Sequence, residues 1–159
     1  AACEELGLPV AINAGVPGPR VRSRVQHPEL LEDVLIDFPD LTVVVAHMGH
    51  PYEELLMNFM RKWPNLYVSC TAYSPKYMDP ALIRFMNTST YRGRVLWGSD
   101  EPWFPMRRSL AEAQSLEIDD EAKALFLYSP FTLFAVSDRV AFTPYDTCMS
   151  ELAETRIKG

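Results

Sequence analysis

A nearly unbroken apolar run covers residues 41–48, LTVVVAHM, and ends in a single histidine. Turn-forming residues bound it, with the sequence DFPD at residues 37–40 before it and Gly49 and Pro51 after it. A short apolar run between turn signals is typical of a strand buried on both faces, as in a parallel sheet covered by helices. The pattern therefore predicts a central buried strand, with His47 where the strand ends and a loop begins.

Three other short apolar segments predict further strands, at residues 8–14, 66–72 and 95–98. The segments between them place apolar residues at helical period, as in the stripe from Leu30 to Phe38. Helices are predicted over residues 28–38, 52–63, 80–86, 106–116 and 119–134, with Pro80 near one start, Asp119 as an N-cap, and an interruption at Ser129-Pro130 left open. Strand and helix alternate four times, which predicts an α/β fold with a parallel sheet and outer helices.

The four predicted strands end on residues whose side chains can take part in catalysis or binding: Asn13, His47, the pair Cys70 and Thr71, and Asp100. In a (β/α) barrel the carboxyl ends of the strands form the catalytic face. We therefore expect His47 and Asp100 to face one shared pocket at that edge of the sheet.

Composition narrows the possible partners and the compartment. The 159 residues carry a net charge of −6, which argues against nucleic acid or an anionic membrane as the main partner. No run of 18 apolar residues exists, so no membrane span is predicted. Three scattered cysteines without a CxxC motif fit a reducing cytoplasm and exclude a thiolate zinc site.

The length allows one domain, predicted over residues 1–136. Residues 137–159 lack a clear period and are predicted to be a C-terminal extension. The chain begins at Ala1 inside a predicted helix, which suggests a piece of a longer protein.

Three residues near the strand ends are candidates for substrate binding. Arg20 lies on the loop after the first strand and could hold a carboxylate, although a solvated basic loop is the more common role for such a residue. His50 lies one loop residue beyond the central strand, where it either faces the pocket or caps the loop. Trp103 follows Asp100 and could form a wall for a ring-shaped compound, whereas Trp97 is expected to pack in the core.

Five segments together resemble the amidohydrolase-related family (amidohydrolase 2) of metal-dependent TIM barrels. They are LPVAINAG, LTVVVAHMGHPYEELL, LYVSCTAYSP, RVLWGSDEPWFP and DDEAKALFLYSPFTLF, within about residues 1–136. The branch with aminocarboxymuconate-semialdehyde decarboxylase and γ-resorcylate decarboxylase is the most similar one. The resemblance implies that the strands are strands five to eight, the C-terminal half of a (β/α)8 barrel. It also implies a catalytic role for His47 and Asp100, with Asp100 as a metal ligand.

Two departures from the family pattern affect the expected zinc or manganese site. Asn13 stands where the family has a metal-binding histidine, and asparagine is a poor zinc ligand. The family's His-x-His pair on the first strand has no counterpart. We therefore expect the chain alone to bind metal weakly or not at all.

Two functions remain open at this point. One is part of a metal-dependent hydrolase or decarboxylase that acts on a small carboxylated compound. The aromatic residues near Asp100 are compatible with a cyclic compound. The other is a non-catalytic half-barrel that serves as a binding or assembly module and has lost its metal site.

Half of a barrel would leave two open sheet edges and an uncovered inner face. Exposed apolar surface costs about 25 cal/mol per Å², and open edges pair with other strands. The sequence thus predicts that the chain is not a stable monomer as given. It is the C-terminal half of a longer barrel, or it forms a homo-oligomer, or it pairs with a complementary half-barrel. In the isolated chain, inward side chains of the central strand are expected to meet water.

Overall fold

The structure, a computed structural model, describes residues 1–133. Four short parallel strands form one sheet in the order β1-β2-β3-β4, which confirms the predicted α/β fold. The strands are β1 Val10–Asn13, β2 Val43–Ala46, β3 Leu66–Ser69 and β4 Val95–Leu96. Each ends before the predicted boundary, because residues beyond it turn away from the sheet; after β2, for example, His47–Gly49 form a single 3₁₀ turn. The predicted extension over residues 137–159 lies outside the described residues.

Helices connect the strands and cover one face of the sheet. Their bounds are α1 Ala2–Glu5, α2 Leu31–Asp37, α3 Glu53–Lys62, α4 Pro80–Phe85, α5 Met106–Gln114 and α6 Asp120–Leu133. Asp119 caps α6 through the N–H of Ala122, as the sequence predicted, and Asp79 caps α4 through the N–H of Ala81. Helix α6 continues through Ser129 and Pro130 without interruption. Within residues 1–133, none of the helices combines the length and the apolar character that crossing a membrane requires.

The main core lies between the sheet and its helices. Alternate strand residues point to this side, where Val45 and Leu66 are completely buried. Leu31 and Leu35 of α2 pack there as predicted, but Leu30 is 52% exposed. The prediction that Leu30 belongs to the buried apolar stripe was wrong. Leu30 lies in a 3₁₀ turn before α2, and a 3₁₀ turn has a different period from an α-helix.

The opposite face of the sheet is more closed than a half-barrel predicts. Val44 of β2 and Leu96 of β4 point to this face, yet they are 2% and 1% exposed. The expectation that the inward side chains of the central strand meet water is therefore wrong for Val44. The exposed residues on this face are Ala11 and Asn13 of β1, while Ala46 of β2 and Tyr67 of β3 are half-buried.

At β4, a helix and not a strand supplies the next hydrogen-bond partner. The N–H of Trp97, just beyond β4, donates to the carbonyl of Phe126 in α6 at 2.9 Å. The Trp97 side chain is buried as predicted, and its Nε1 donates to Ser109 Oγ of α5 at 3.1 Å. Both contacts hold the loop after β4 against the two last helices.

Candidate active site

One cavity is lined by residues at or just beyond the carboxyl ends of the four strands. Because all four strands are parallel, their carboxyl ends lie along one edge, and the loops that follow them meet there. The cavity has a volume of about 640 Å³ and is lined by Asn13, His47 and Asp100, together with Ala72 from the loop after β3. His47 and Asp100 thus share one pocket, as their positions in the sequence predicted.

The ring of His47 is held by the backbone after β3. Its Nδ1 lies 2.8 Å from the carbonyl oxygen of Thr71 and 3.1 Å from the Thr71 hydroxyl. A carbonyl only accepts, so Nδ1 carries the proton and donates it to Thr71 O. Nε2 is then the nitrogen left for acid–base chemistry in the pocket.

The loops that carry these residues begin with an unusual backbone conformation. His47, Ala72 and Asp100 all have positive φ, at 56°, 60° and 64°, after β2, β3 and β4 respectively. A left-handed conformation costs a non-glycine residue roughly 1–2 kcal/mol, and residues of this kind cluster at functional sites. Each of these three loops therefore contains a sharp turn within a few residues of its strand, at a residue that lines the cavity.

Gly98 supports this arrangement by leaving room for Thr71. A Cβ atom on Gly98 would overlap with Cγ2 of Thr71, which is the residue that orients His47. The N–H of His47 also lies 3.4 Å from Thr71 Oγ1. The ends of β2, β3 and β4 are thus coupled through direct contacts.

His50 lies on the cavity wall, as its candidate role in substrate binding requires. Its Nδ1 is 2.6 Å from Oε1 of Glu53, and its ring centroid is 5.2 Å from that of Tyr73. Burial, and then the charge of Glu53, raise the pKa of the Tyr73 hydroxyl, so this phenol is neutral over the physiological range. The carbonyl of His50 accepts a 2.8 Å hydrogen bond from the N–H of Val16, which ties the first loop to the second.

Two other candidates differ in position. Trp103 lines the cavity, where its side chain is 82% exposed beside Phe104, and its N–H donates to Asp100 O at 3.0 Å. Arg20 is exposed and is not among the lining residues, so the structure does not bring it to the pocket. The preceding loop residues line the cavity instead: Gly15, Val16, Pro17, Gly18 and Pro19.

Sequence reasoning missed Glu53 and Tyr73 as part of this site. Glu53 lies in the first turn of a predicted helix, where the helix dipole alone would favour an acidic residue. The spacing of three residues between His50 and Glu53 could have indicated their contact, because the turn between them brings positions i and i+3 together. Tyr73 comes from the loop after β3, and nothing in the local pattern set it apart.

The described residues do not by themselves fit a divalent metal. No group of three His, Cys, Asp or Glu side chains within residues 1–133 could hold such an ion. On the cavity wall Asp100 is a carboxylate ligand of the kind that metals prefer, whereas Asn13 is a weak one and His47 already donates from Nδ1.

Comparisons with known proteins support the same fold. The structure resembles an uncharacterized TIM-barrel protein from Bordetella bronchiseptica at 30% identity and a TM-score of 0.74, covering 87% of this chain and 49% of that one. It also resembles 5-carboxyvanillate decarboxylase from Sphingomonas paucimobilis, at 18% identity and a TM-score of 0.61, with 86% and 52% covered.

A dihydroxybenzoic acid decarboxylase from Polaromonas sp., solved with bound manganese and the inhibitor 2-nitroresorcinol, matches at 12% identity and a TM-score of 0.57, with 88% and 54% covered. The chain thus spans about half the length of the solved structures that it matches, which are TIM barrels. No curated protein matches the chain. The sequence model described as amidohydrolase matches residues 1–129, most of the chain, and this chain therefore belongs to the amidohydrolase family.

Proposed function

We propose that this chain supplies the C-terminal half of a (β/α)8-barrel enzyme that cleaves a small carboxylated compound, by decarboxylation or by hydrolysis. The main support is the shared cavity at the carboxyl ends of the strands, with His47 and Asp100 on its wall. Two of the structural neighbours are named as decarboxylases of aromatic carboxylates, which favours decarboxylation of a ring-bearing substrate.

His47 is proposed as the acid–base residue. In decarboxylation the bond between the substrate carbon and its carboxyl group breaks, CO₂ leaves, and the electron pair stays on that carbon. A proton then has to reach the carbon. Nε2 of His47 first takes up a proton from solvent and then delivers it, while Nδ1 stays bonded to Thr71 O. In hydrolysis the same nitrogen would accept a proton from water.

Asp100 contributes the carboxylate on the cavity wall, and Trp103, with Phe104, offers an apolar surface for a ring. The described residues do not form a metal site by themselves. A bound zinc or manganese ion would supply electrophilic stabilisation of charge, with Asp100 as this chain's ligand and further ligands from outside residues 1–133.

A second function is favoured by one observation. Asn13 lies on the cavity wall at the end of β1, where the family resemblance implies a histidine, and the described residues lack a three-ligand group. A non-catalytic half-barrel that binds a small molecule or a partner chain is the corresponding alternative.

Turnover of 5-carboxyvanillate, followed by CO₂ release with and without added Mn²⁺ or Zn²⁺, tests the enzyme proposal. Replacing the acid–base residue in His47→Gln, or the carboxylate in Asp100→Asn, should lower kcat about 10²–10⁴-fold. His27→Gln and Asp33→Asn are matched controls away from the cavity and should keep the activity. Absence of turnover together with retained ligand binding would favour the binding module.

The same proposal includes a small-molecule ligand and a reducing location such as the cytoplasm. Cys3 and Cys70 are both free, which suits a compartment where thiols stay reduced. Nucleic acid is not expected as a partner, since the chain carries a net charge of −6.

A further inference from the structure

The cavity holds a second histidine whose side chain is oriented by a different group. His50 belongs to the turn after β2, and Glu53 is the first residue of α3. The Nδ1 atom of His50 lies 2.6 Å from Oε1 of Glu53, within the range of a short, charge-assisted hydrogen bond. Because an ionised carboxylate only accepts, Nδ1 is the donor in this pair.

Burial distinguishes Glu53 from the neighbouring acidic residue. The Glu53 side chain is 14% exposed, whereas Glu54, in the same first turn of α3, is exposed. An acidic residue that served only the helix dipole would be equally effective in solvent. Glu53 instead pairs with His50, whose ring packs against the ring of Tyr73, and the charge of Glu53 contributes to the raised pKa of the Tyr73 hydroxyl.

The backbone fixes the other side of His50. Its carbonyl accepts from the N–H of Val16 at 2.8 Å, and its N–H donates to the carbonyl of His47 at 3.2 Å. A Cβ atom on Gly15 would lie 2.7 Å from the same carbonyl of His50, so the two loops are in close contact. With its main chain and Nδ1 both held, the ring can offer the cavity only Nε2.

We propose that Glu53 is a positioning residue that fixes the tautomer of His50, with hydrogen on Nδ1, so that Nε2 contacts the substrate as a hydrogen-bond acceptor. The site then has two imidazoles in the same tautomer, held by Thr71 O at His47 and by the Glu53 carboxylate at His50. The contact with substrate rests on the proposed function, whereas the tautomer does not.

Long-range ¹H–¹⁵N correlation spectra of the full chain test the tautomer directly. The sequence has three histidines, so His50→Gln assigns the His50 signals by their loss. We expect protonated Nδ1 and unprotonated Nε2 for His50 in the wild type. Glu53→Ala should move the proton to Nε2, and Glu53→Gln should retain it on Nδ1, since the amide oxygen still accepts.

Glu54→Ala is the matched control and should leave the His50 signals in place. A wild-type His50 with hydrogen on Nε2, or an unchanged tautomer in Glu53→Ala, would overturn the role of Glu53. A variant that failed to fold would lose the dispersed spectrum of the other two histidines. Glu53→Lys then decides the question, since an ammonium group only donates and should move the hydrogen of His50 to Nε2, whereas hydrogen that stays on Nδ1 would overturn the role of Glu53.

Titration with 2-nitroresorcinol tests the contact at Nε2. The Nε2 resonance of His50 should shift in the wild type and shift less in Glu53→Ala. A response of His47 without any response of His50 would show that His50 does not contact the ligand. If no histidine responds, the proposed function fails for this ligand class, while the tautomer measurement still decides the role of Glu53.

Discussion

His47 shows how little of its environment comes from nearby residues in the chain. The partner of Nδ1, the carbonyl of Thr71, lies 24 positions away, and Thr71 depends in turn on the missing side chain at Gly98. The acid–base nitrogen is therefore set by contacts among three loops, and a small change at any of them should reach the ring.

Gly98→Ala tests this dependence. The added methyl group overlaps with Thr71, and overpacking of this kind costs typically about 1–3 kcal/mol. We expect that loss in the free energy of unfolding, measured by urea titration, and a lower turnover because His47 is displaced. Gly18→Ala is the control, since nothing lies within 4 Å of a Cβ atom there. Equal stability of both variants would contradict the proposed contact.

Cys70 allows a prediction about pH. Burial raises the pKa of its thiol from 9.0 to about 12, so folding favours the protonated form. The folded-state pKa lies above the unfolded one, so this stabilisation is complete below pH 9. It is lost as the pH rises from about 9 towards 12, by about 1.4 kcal/mol per pH unit.

Cys70→Ala should remove this slope. Urea unfolding of both proteins at pH 7, 9 and 10 measures it, and the difference between them isolates the thiol from other titrating groups. Parallel pH dependence of the two proteins would mean that the thiol is not buried as the structure places it.

At the scale of elements, Arg94 joins the end of α3 to the beginning of β4. Its guanidinium donates to the carbonyls of Met60 at 2.8 Å and Trp63 at 3.0 Å, where α3 ends. It also donates to Leu66 O at 3.3 Å, at the start of β3. The last carbonyls of a helix lack partners within the helix, and a cation is favourable there because of the dipole.

Arg94→Met should therefore destabilise the fold by about 2–4 kcal/mol, because several buried carbonyls lose a charged donor. Arg94→Lys should recover only part of the lost free energy of unfolding, since an ammonium group cannot reproduce the several N–H donors of the planar guanidinium. Arg84→Met, an exposed position on α4, is the control for loss of charge. Thermal or urea unfolding measures all three, and an unchanged Arg94→Met would contradict the bridging role.

For the whole molecule, the two edges of the sheet differ. At β4 the Trp97 N–H is already paired with Phe126 O of α6, whereas at β1 the described residues provide no further strand, and Ala11 and Asn13 are exposed. The family's solved barrels are about twice as long as this chain. Association with another chain should therefore involve the β1 edge.

Sedimentation of the full chain at micromolar concentration tests this prediction. We expect a dimer or larger species, and we expect Ala11→Lys to shift it towards the monomer, because a charge beside an edge opposes pairing. Lys substitution at the exposed Ile36 of α2 is the control. A compact monomer that unfolds cooperatively and binds no hydrophobic dye would contradict the prediction.

The order of the strands was implied only by the family resemblance. The residues by themselves determined the parallel α/β fold and the edge at which His47 and Asp100 meet. Apolar runs and helical stripes report which segments are buried, and parallel strands necessarily bring their ends together, so these features follow from local patterns. The exact strand ends were missed, because the left-handed turns at His47 and Ala72 have no glycine to indicate them.

Only the tertiary structure decided which side chains complete the site. Arg20 does not line the cavity. Glu53 is hydrogen-bonded to Nδ1 of His50, and the carbonyl of Thr71 is hydrogen-bonded to Nδ1 of His47. These outcomes depend on contacts between loops far apart in sequence, and the direction of a loop is not encoded in a hydrophobic period. The same is true of Val44, which is 2% exposed because of tertiary packing that the pattern along one strand does not describe.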